Sequence, residues 1–159
     1  MLTVIICIAL ILASFAGGIW LTYTRMLKET IKSRESYEKF HSMYQMLERL
    51  IYCKQAGYSI GGYLQQSGIT KIAIYGCGDI GRILYNELLD EDIEVKYGID
   101  KNTKIDFPIE IRSLSESLDE VDAVIVTSIA YFSDIEEELR KLMKCRILAL
   151  DDVIYEIAY

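Results

Sequence analysis

An α/β domain on a five-stranded parallel sheet is the fold class that residues 57–159 predict, and three observations predict it. Short apolar, strand-like runs alternate with segments of helical periodicity. A glycine-rich turn, Gly76-Cys77-Gly78-Asp79-Ile80-Gly81, joins the first run to the first such helix. An aspartate, Asp100, closes the second run, near the usual interval of about 20 residues after the first glycine. Strand–helix alternation implies right-handed crossovers. These give a sheet ordered 3-2-1-4-5, with a ligand crevice between the first and fourth strands.

Composition narrows the function classes. A chain of 159 residues supports one compact domain plus extra segments. Its net charge is −7, from 24 acidic against 17 basic side chains. Such a balance repels a phosphate backbone, so no nucleic-acid partner is expected. Cys7, Cys53, Cys77 and Cys145 are far apart, without a CxxC pair, and His41 is the only histidine. Buried, reduced thiols are expected, and no metal site.

Residues 1–24 carry no charged side chain. As a helix they would rise roughly 36 Å, more than the ~30 Å core of a bilayer. Trp20 and Tyr23 fall near the end of the run, followed by Arg25, Lys28, Lys32 and Arg34. The expectation is a transmembrane anchor over 1–24, single-pass in the inner (cytoplasmic) membrane, with the C-terminal domain in the cytoplasm. A cleaved signal peptide competes, since Ala13-Ser14-Phe15-Ala16 has a small-x-small pattern, but no basic n-region precedes it. A buried core helix is the third reading.

Residues 25–56 predict a connecting amphipathic helix. Glycine and proline are absent up to Lys54, and Tyr37, Phe40, Tyr44, Leu47 and Ile51 draw one stripe at spacings of 3 and 4. About two heptads are too few for a coiled-coil assignment. The stripe is expected to pack on the α/β domain or on a neighbouring helix; the alternative is a homo-oligomer or partner-enzyme contact. Gly57 ends the helix, Ser59 caps a short one through Gln66, and Gly68 breaks the chain before the first strand.

The α/β elements follow in order. Lys71–Tyr75 is the first strand, Ile80–Leu88 the first helix and Glu94–Ile99 the second strand. Pro108–Ile111 reads as an edge strand, and Leu114 and Leu118 suggest a brief helix after it. Asp122–Thr127 is the fourth strand, and Ser133 with Glu136 forms a capping box opening a helix through Leu142. Arg146–Leu150 is the fifth strand, and Asp151 can cap a final turn through Tyr155.

The turn supplies the candidate site. Gly76 permits the tight bend, Gly78 lets the backbone approach a pyrophosphate, and Gly81 allows close packing of helix on strand. Cys77, Asp79 and Ile80 complete it, and the backbone N–H groups that open the helix face the phosphates. The Asp100 carboxylate can accept hydrogen bonds from ribose hydroxyls and repels an extra 2′-phosphate. NAD is therefore expected over NADP, with Lys101 offsetting part of that repulsion. Thr127, Ser128 and Ile129, at the carboxyl end of the fourth strand, are expected beside the cofactor.

Residues 58–157, including IYGCGDIGRILYNEL, VKYGIDKN, VDAVIVTSIAYFSDI and ILALDDVIYEI, resemble bacterial NAD(P)-binding Rossmann-like domains linked to capsular and surface polysaccharide synthesis. Such domains occur alone or fused to glycosyltransferases and sugar-modifying enzymes, and are similar to the nucleotide-binding part of polysaccharide epimerase/dehydratase proteins. The resemblance implies that Gly76, Gly78, Gly81 and Asp100 are nucleotide-binding positions, and that the ligand is NAD(P) or a nucleotide-sugar. Sugar epimerases and dehydratases of the short-chain type also carry a Tyr-x-x-x-Lys pair. None follows the turn here, and Tyr37-Glu38-Lys39 has the wrong spacing. No catalytic residue is therefore assigned. The expected function is a membrane-anchored, non-catalytic module that binds NAD(P) or a nucleotide-sugar and serves polysaccharide or sugar biosynthesis. One alternative is an oxidoreductase or sugar-modifying enzyme subunit whose substrate site a partner completes. Another is a regulatory nucleotide-sensing domain of a transport system.

Overall fold

A run from Met26 to Lys54 without a helix breaker continues an N-terminal stretch that is equally free of proline, and the chain answers with one helix, α1 (Leu2–Gln55). The computed structural model describes residues 1–157, with side chains described for all of these except 2–14, 16 and 35. The chain divides into two compact units, Met1–Tyr44 and Gln45–Tyr159.

In the first unit, α1 exposes Phe15, Trp20, Tyr23, Tyr37, Phe40 and Tyr44. An i,i+4 pair joins Arg34 to Glu38 at 3.2 Å. The transmembrane anchor over 1–24, and with it the single-pass inner-membrane placement, is corrected. Among the described residues no helix is long and apolar enough to cross a membrane. Residues 17–24 rise only about 12 Å at ~1.5 Å per residue, against a core of about 30 Å. They include Gly17, Gly18, Thr22 and Thr24, and charged residues begin at Arg25. The rest of the expected anchor, residues 2–14 and 16, lies outside the described side chains.

The second unit begins at Gln45, twelve residues before the boundary expected at 57, because the last turns of α1 enter its core. Met46, Leu50 and Cys53, spaced 4 and 3, are buried. The expected stripe is offset from that face, with Ile51 exposed and Leu47 half-buried. Gly57 ends the segment in the left-handed region at φ +83°. Ser59 then caps α2 (Ile60–Gln66), its hydroxyl accepting from the Gly62 N–H at 3.0 Å. Gly68, at φ +72°, turns the chain into β1 (Lys71–Tyr75).

Next come α3 (Asp79–Leu88), β2 (Glu94–Ile99), β3 (Ile111–Arg112) and β4 (Ala123–Val126). A short 3-10 turn (Ile129–Tyr131), α4 (Phe132–Leu142), β5 (Arg146–Ala149) and α5 (Leu150–Ile157) complete the chain. The sheet order is β3-β2-β1-β4-β5 with every pair parallel, the order expected from the alternation. Successive residues of a strand point to opposite faces. Accordingly Ile72 and Ile74 pack with the end of α1, α2, α3 and α5, while Ala73 and Tyr75 pack with Tyr97, Val126, Ile135 and Leu139 on the α4 side. Each large aliphatic side chain so buried contributes roughly 1.5–3 kcal/mol before entropy is counted.

Three local expectations differ. The third strand is Ile111–Arg112 rather than Pro108–Ile111, pairing only with Gly98 and Ile99; Pro108 has no N–H to give a ladder. Leu114 and Leu118 form no helix, yet both pack against the α4-side core. Ser133 is not a cap, because the 3-10 turn runs directly into α4 and leaves Ser133 inside its first turn. The Ser-x-x-Glu pairing occurs at Ser113 instead, whose N–H and hydroxyl both donate to Glu116 Oε1.

Candidate functional site

Parallel pairing aligns the carboxyl ends of β1, β2 and β4, and the glycine turn leaves that edge between Tyr75 and Asp79. The three glycines have different physical reasons to be there. Gly76 has φ +93°, and a Cβ on it would lie 2.4 Å from Thr127 Oγ1. A Cβ on Gly81 would meet the Gly76 carbonyl oxygen at 2.1 Å, so α3 can approach β1 only with glycine at this point. Gly78 is different: its φ of −76° suits any residue, and a Cβ there meets nothing within 4 Å. Open space therefore lies over the residue that precedes α3.

Gly78 offers α3 no side-chain cap. The first N–H groups of a helix lack intrahelical acceptors and carry its positive dipole end, so this turn presents donors to an anion. Asp79, exposed in the first turn, already places one carboxylate near that end. Ile80 is half-buried against the core and steadies the turn from below.

Asp100 is joined to the turn directly. Its Oδ2 accepts the Cys77 N–H at 2.9 Å, and its Oδ1 accepts the Asn102 N–H at 2.9 Å. A carboxylate has about four lone-pair sites, so room remains for two further donors such as vicinal hydroxyls. The Cys77 side chain turns inward and is fully buried, its thiol near the Ile74 and Ile99 carbonyls. Burial first, and then the Asp100 charge, push that thiol up to about 12. Cys77 thus serves the site through its backbone and has no nucleophilic role.

Thr127 works on the turn from the other side. Its hydroxyl donates to the carbonyls of Tyr75 (3.1 Å) and Gly76 (2.9 Å), locking β1 to β4 at the bend. Past β2, Arg82 donates to the Asp106 carbonyl and lies 5.9 Å from the Phe107 ring, which meets Tyr85 edge-on. The connection after Lys101 is thereby held against α3.

A cavity of about 370 Å³ opens beside the turn, lined on one side by Tyr75, Gly76, Asp100 and Lys101. Its other wall is Ser128, Tyr131 and three residues of α4, the buried Ile135 and the exposed Asp134 and Glu138. The structure thus brings Gly76, Asp100, Lys101 and Ser128 to one cavity, with Cys77 and Thr127 bonded to its frame. Gly78 and Asp79 stand exposed at the start of α3. Tyr75, Tyr131, Asp134, Ile135 and Glu138 escaped the sequence reading. The available signal was the i,i+4 pair Asp134/Glu138 bordering the buried Ile135 and Leu139. Burial raises the Tyr75 phenol above its ordinary value, and Glu138 and then Asp100 raise it further. Both walls are therefore felt at the cavity floor. The arrangement offers anion donors at the helix start and hydroxyl acceptors in the cavity. No family model matches the chain, and no curated protein or solved structure matches it either.

Proposed function

We propose that this chain is a non-catalytic binding module for a dinucleotide of the NAD type, with the pyrophosphate at the start of α3 and one ribose on Asp100. The observation that carries this reading is the β1–α3 turn. Gly81 and Gly76 are demanded by packing and backbone conformation, but the open space over Gly78 has no role in the fold. A ligand that needs close backbone approach gives it one. Asp100 supports the same reading, since its carboxylate is fixed against the turn with acceptor capacity to spare. A cavity of about 370 Å³ is at the small end of the roughly 300–1,000 Å³ range of ligand pockets. That suits one nucleoside half, with the rest of the molecule crossing the turn.

The resemblance to domains of surface-polysaccharide synthesis supplies the biological setting we infer, an accessory role beside sugar-modifying enzymes. It also makes nucleotide-sugars the competing ligand class. Isothermal titration of the full chain with NAD, NADH, NADP, UDP-glucose and S-adenosylmethionine tests the reading. NAD or NADH binding with the others weaker is the expected result. Binding of UDP-glucose alone would transfer the site to nucleotide-sugars, and no heat from any ligand at millimolar concentration would leave the turn a packing device.

A further inference from the structure

The cavity has an asymmetry of charge that the dinucleotide reading does not by itself explain. Its lining contains three carboxylates, Asp100, Asp134 and Glu138, against one cation, Lys101. Asp134 and Glu138 stand four residues apart on α4 and so share one face of the helix. Other acids of α4 are neutralised locally, Glu136 by Arg140 at 2.6 Å and Glu137 by Lys141 at 2.7 Å. Among the described residues Asp134 and Glu138 have no ion pair. Glu136 and Glu137 thus have cations of their own along α4, whereas the two exposed acids at the rim of the cavity have no ion pair.

We propose that Asp134 and Glu138 set the cofactor preference of this site, accepting a ribose with both hydroxyls free and rejecting one that carries a 2′-phosphate. The inference rests on the dinucleotide reading above and gives the discrimination to α4 as well as to Asp100. A ribose seated on Asp100 lies between the two walls, so a phosphate on its 2′ oxygen enters the field of all three carboxylates. A phosphate monoester carries about −1.5 to −2 charges at neutral pH. Within about a Debye length, roughly 10 Å at 0.1 M salt, in a largely aqueous dielectric, each carboxylate weakens its binding by about a fewfold, and the α4 pair by about tenfold. Lys101 alone does not offset that.

The test uses the full chain as wild type, as the Asp134→Asn/Glu138→Gln double variant, and as Glu138→Lys. Dissociation constants for NAD and NADP are measured by calorimetry at about 50 mM and about 300 mM salt, since screening shortens such repulsion. The readout is the ratio of NADP to NAD dissociation constants, which normalises any general loss of binding within each protein. The expected ratio is above one in wild type, about tenfold lower in the double variant, and lower still in Glu138→Lys, with the differences compressed at high salt. Ratios within about twofold of wild type in both variants overturn the inference while leaving dinucleotide binding intact. A wild type that binds neither cofactor overturns the dinucleotide reading and this inference with it.

Discussion

Alanine placed at Gly78 and at Gly81, one at a time, separates folding from ligand binding. At Gly81 the new Cβ lies 2.1 Å from the Gly76 carbonyl oxygen and 3.1 Å from its carbon, backbone atoms that no rotamer change can move. Helix α3 must shift off β1 by roughly 1 Å, and overpacking of this kind costs about 1–3 kcal/mol. Taking the upper part of that range and allowing up to ~1 kcal/mol for the better helix propensity of alanine leaves a net loss of about 2 kcal/mol. At Gly78 there is no clash and no left-handed backbone. Reduced unfolded-state entropy contributes about 0.4–1 kcal/mol, and the poorer N-cap takes back a similar amount. The expected change is within about 0.5 kcal/mol of zero. Thermal unfolding followed by far-UV circular dichroism, at about 4 °C per kcal/mol for a domain of this size, should show a drop of about 8 °C for Gly81→Ala and less than about 2 °C for Gly78→Ala. Calorimetry with NAD should show the opposite ranking, Gly78→Ala weakening binding at least about tenfold despite its intact fold. Equal melting losses at both positions, or a Gly78→Ala protein that binds NAD like wild type, would refute the division of labour among these glycines.

Three further outcomes are expected. Asp100→Ala removes the acceptor of the Cys77 N–H; it should cost about 1–2 kcal/mol in urea unfolding and weaken NAD more than NADP, and equal losses for both cofactors would contradict its ribose role. Asp122 accepts from the Thr70 and Lys71 N–H groups and the Thr70 hydroxyl, which hold its carboxyl below the ordinary 3.8. Its contribution is therefore complete above that unfolded value and is lost as pH falls through the lower folded one; urea midpoints of wild type should decline below about pH 4 more steeply than those of Asp122→Ala, and parallel curves would exclude the mechanism. Cys77, buried with its thiol near 12, should resist alkylation at pH 8 in the native protein and react once unfolded; peptide mapping that finds it modified without denaturant would show that the turn opens.

How far the sequence reached depended on whether a signal was local. Apolar runs bounded by glycines and charges marked β1, β4 and β5 within a residue or so, because buried parallel strands are apolar on both faces, whereas β2 is buried only from Tyr97 to Ile99. The glycine turn was legible because Gly76 and Gly81 are each required at one backbone position, and Asp100 because it directly follows the second strand. The edge strand was not, since two residues, Ile111 and Arg112, make too short a run to carry a period. The start of α4 was misread because a capping pattern at Ser133 competes with a 3-10 turn that already feeds the helix. Twenty-four uncharged residues suggested a lipid-facing span; the described residues 17–24 are too few to make one, and residues 2–14 and 16 of that run lie outside the described side chains. Asp134 and Glu138 lie on one exposed face of α4. Only the fold brings that face to the glycine turn, and no pattern within α4 carries that fact.

The closing contacts of the core bear on how the domain is completed during synthesis. Cys53 donates to the carbonyl of Ile154, across 101 residues of chain. Val153 and Ile154 join Met46, Leu50 and Leu64 in one cluster over Ile72 and Ile74. Until the last strand and α5 have left the ribosome, that face of the nascent sheet has no cover from its final helix. The glycine turn and its aspartate emerge long before. The turn half of the site is therefore made well before the wall that Ser128, Tyr131 and α4 supply, and the cavity exists only once that later half has been added.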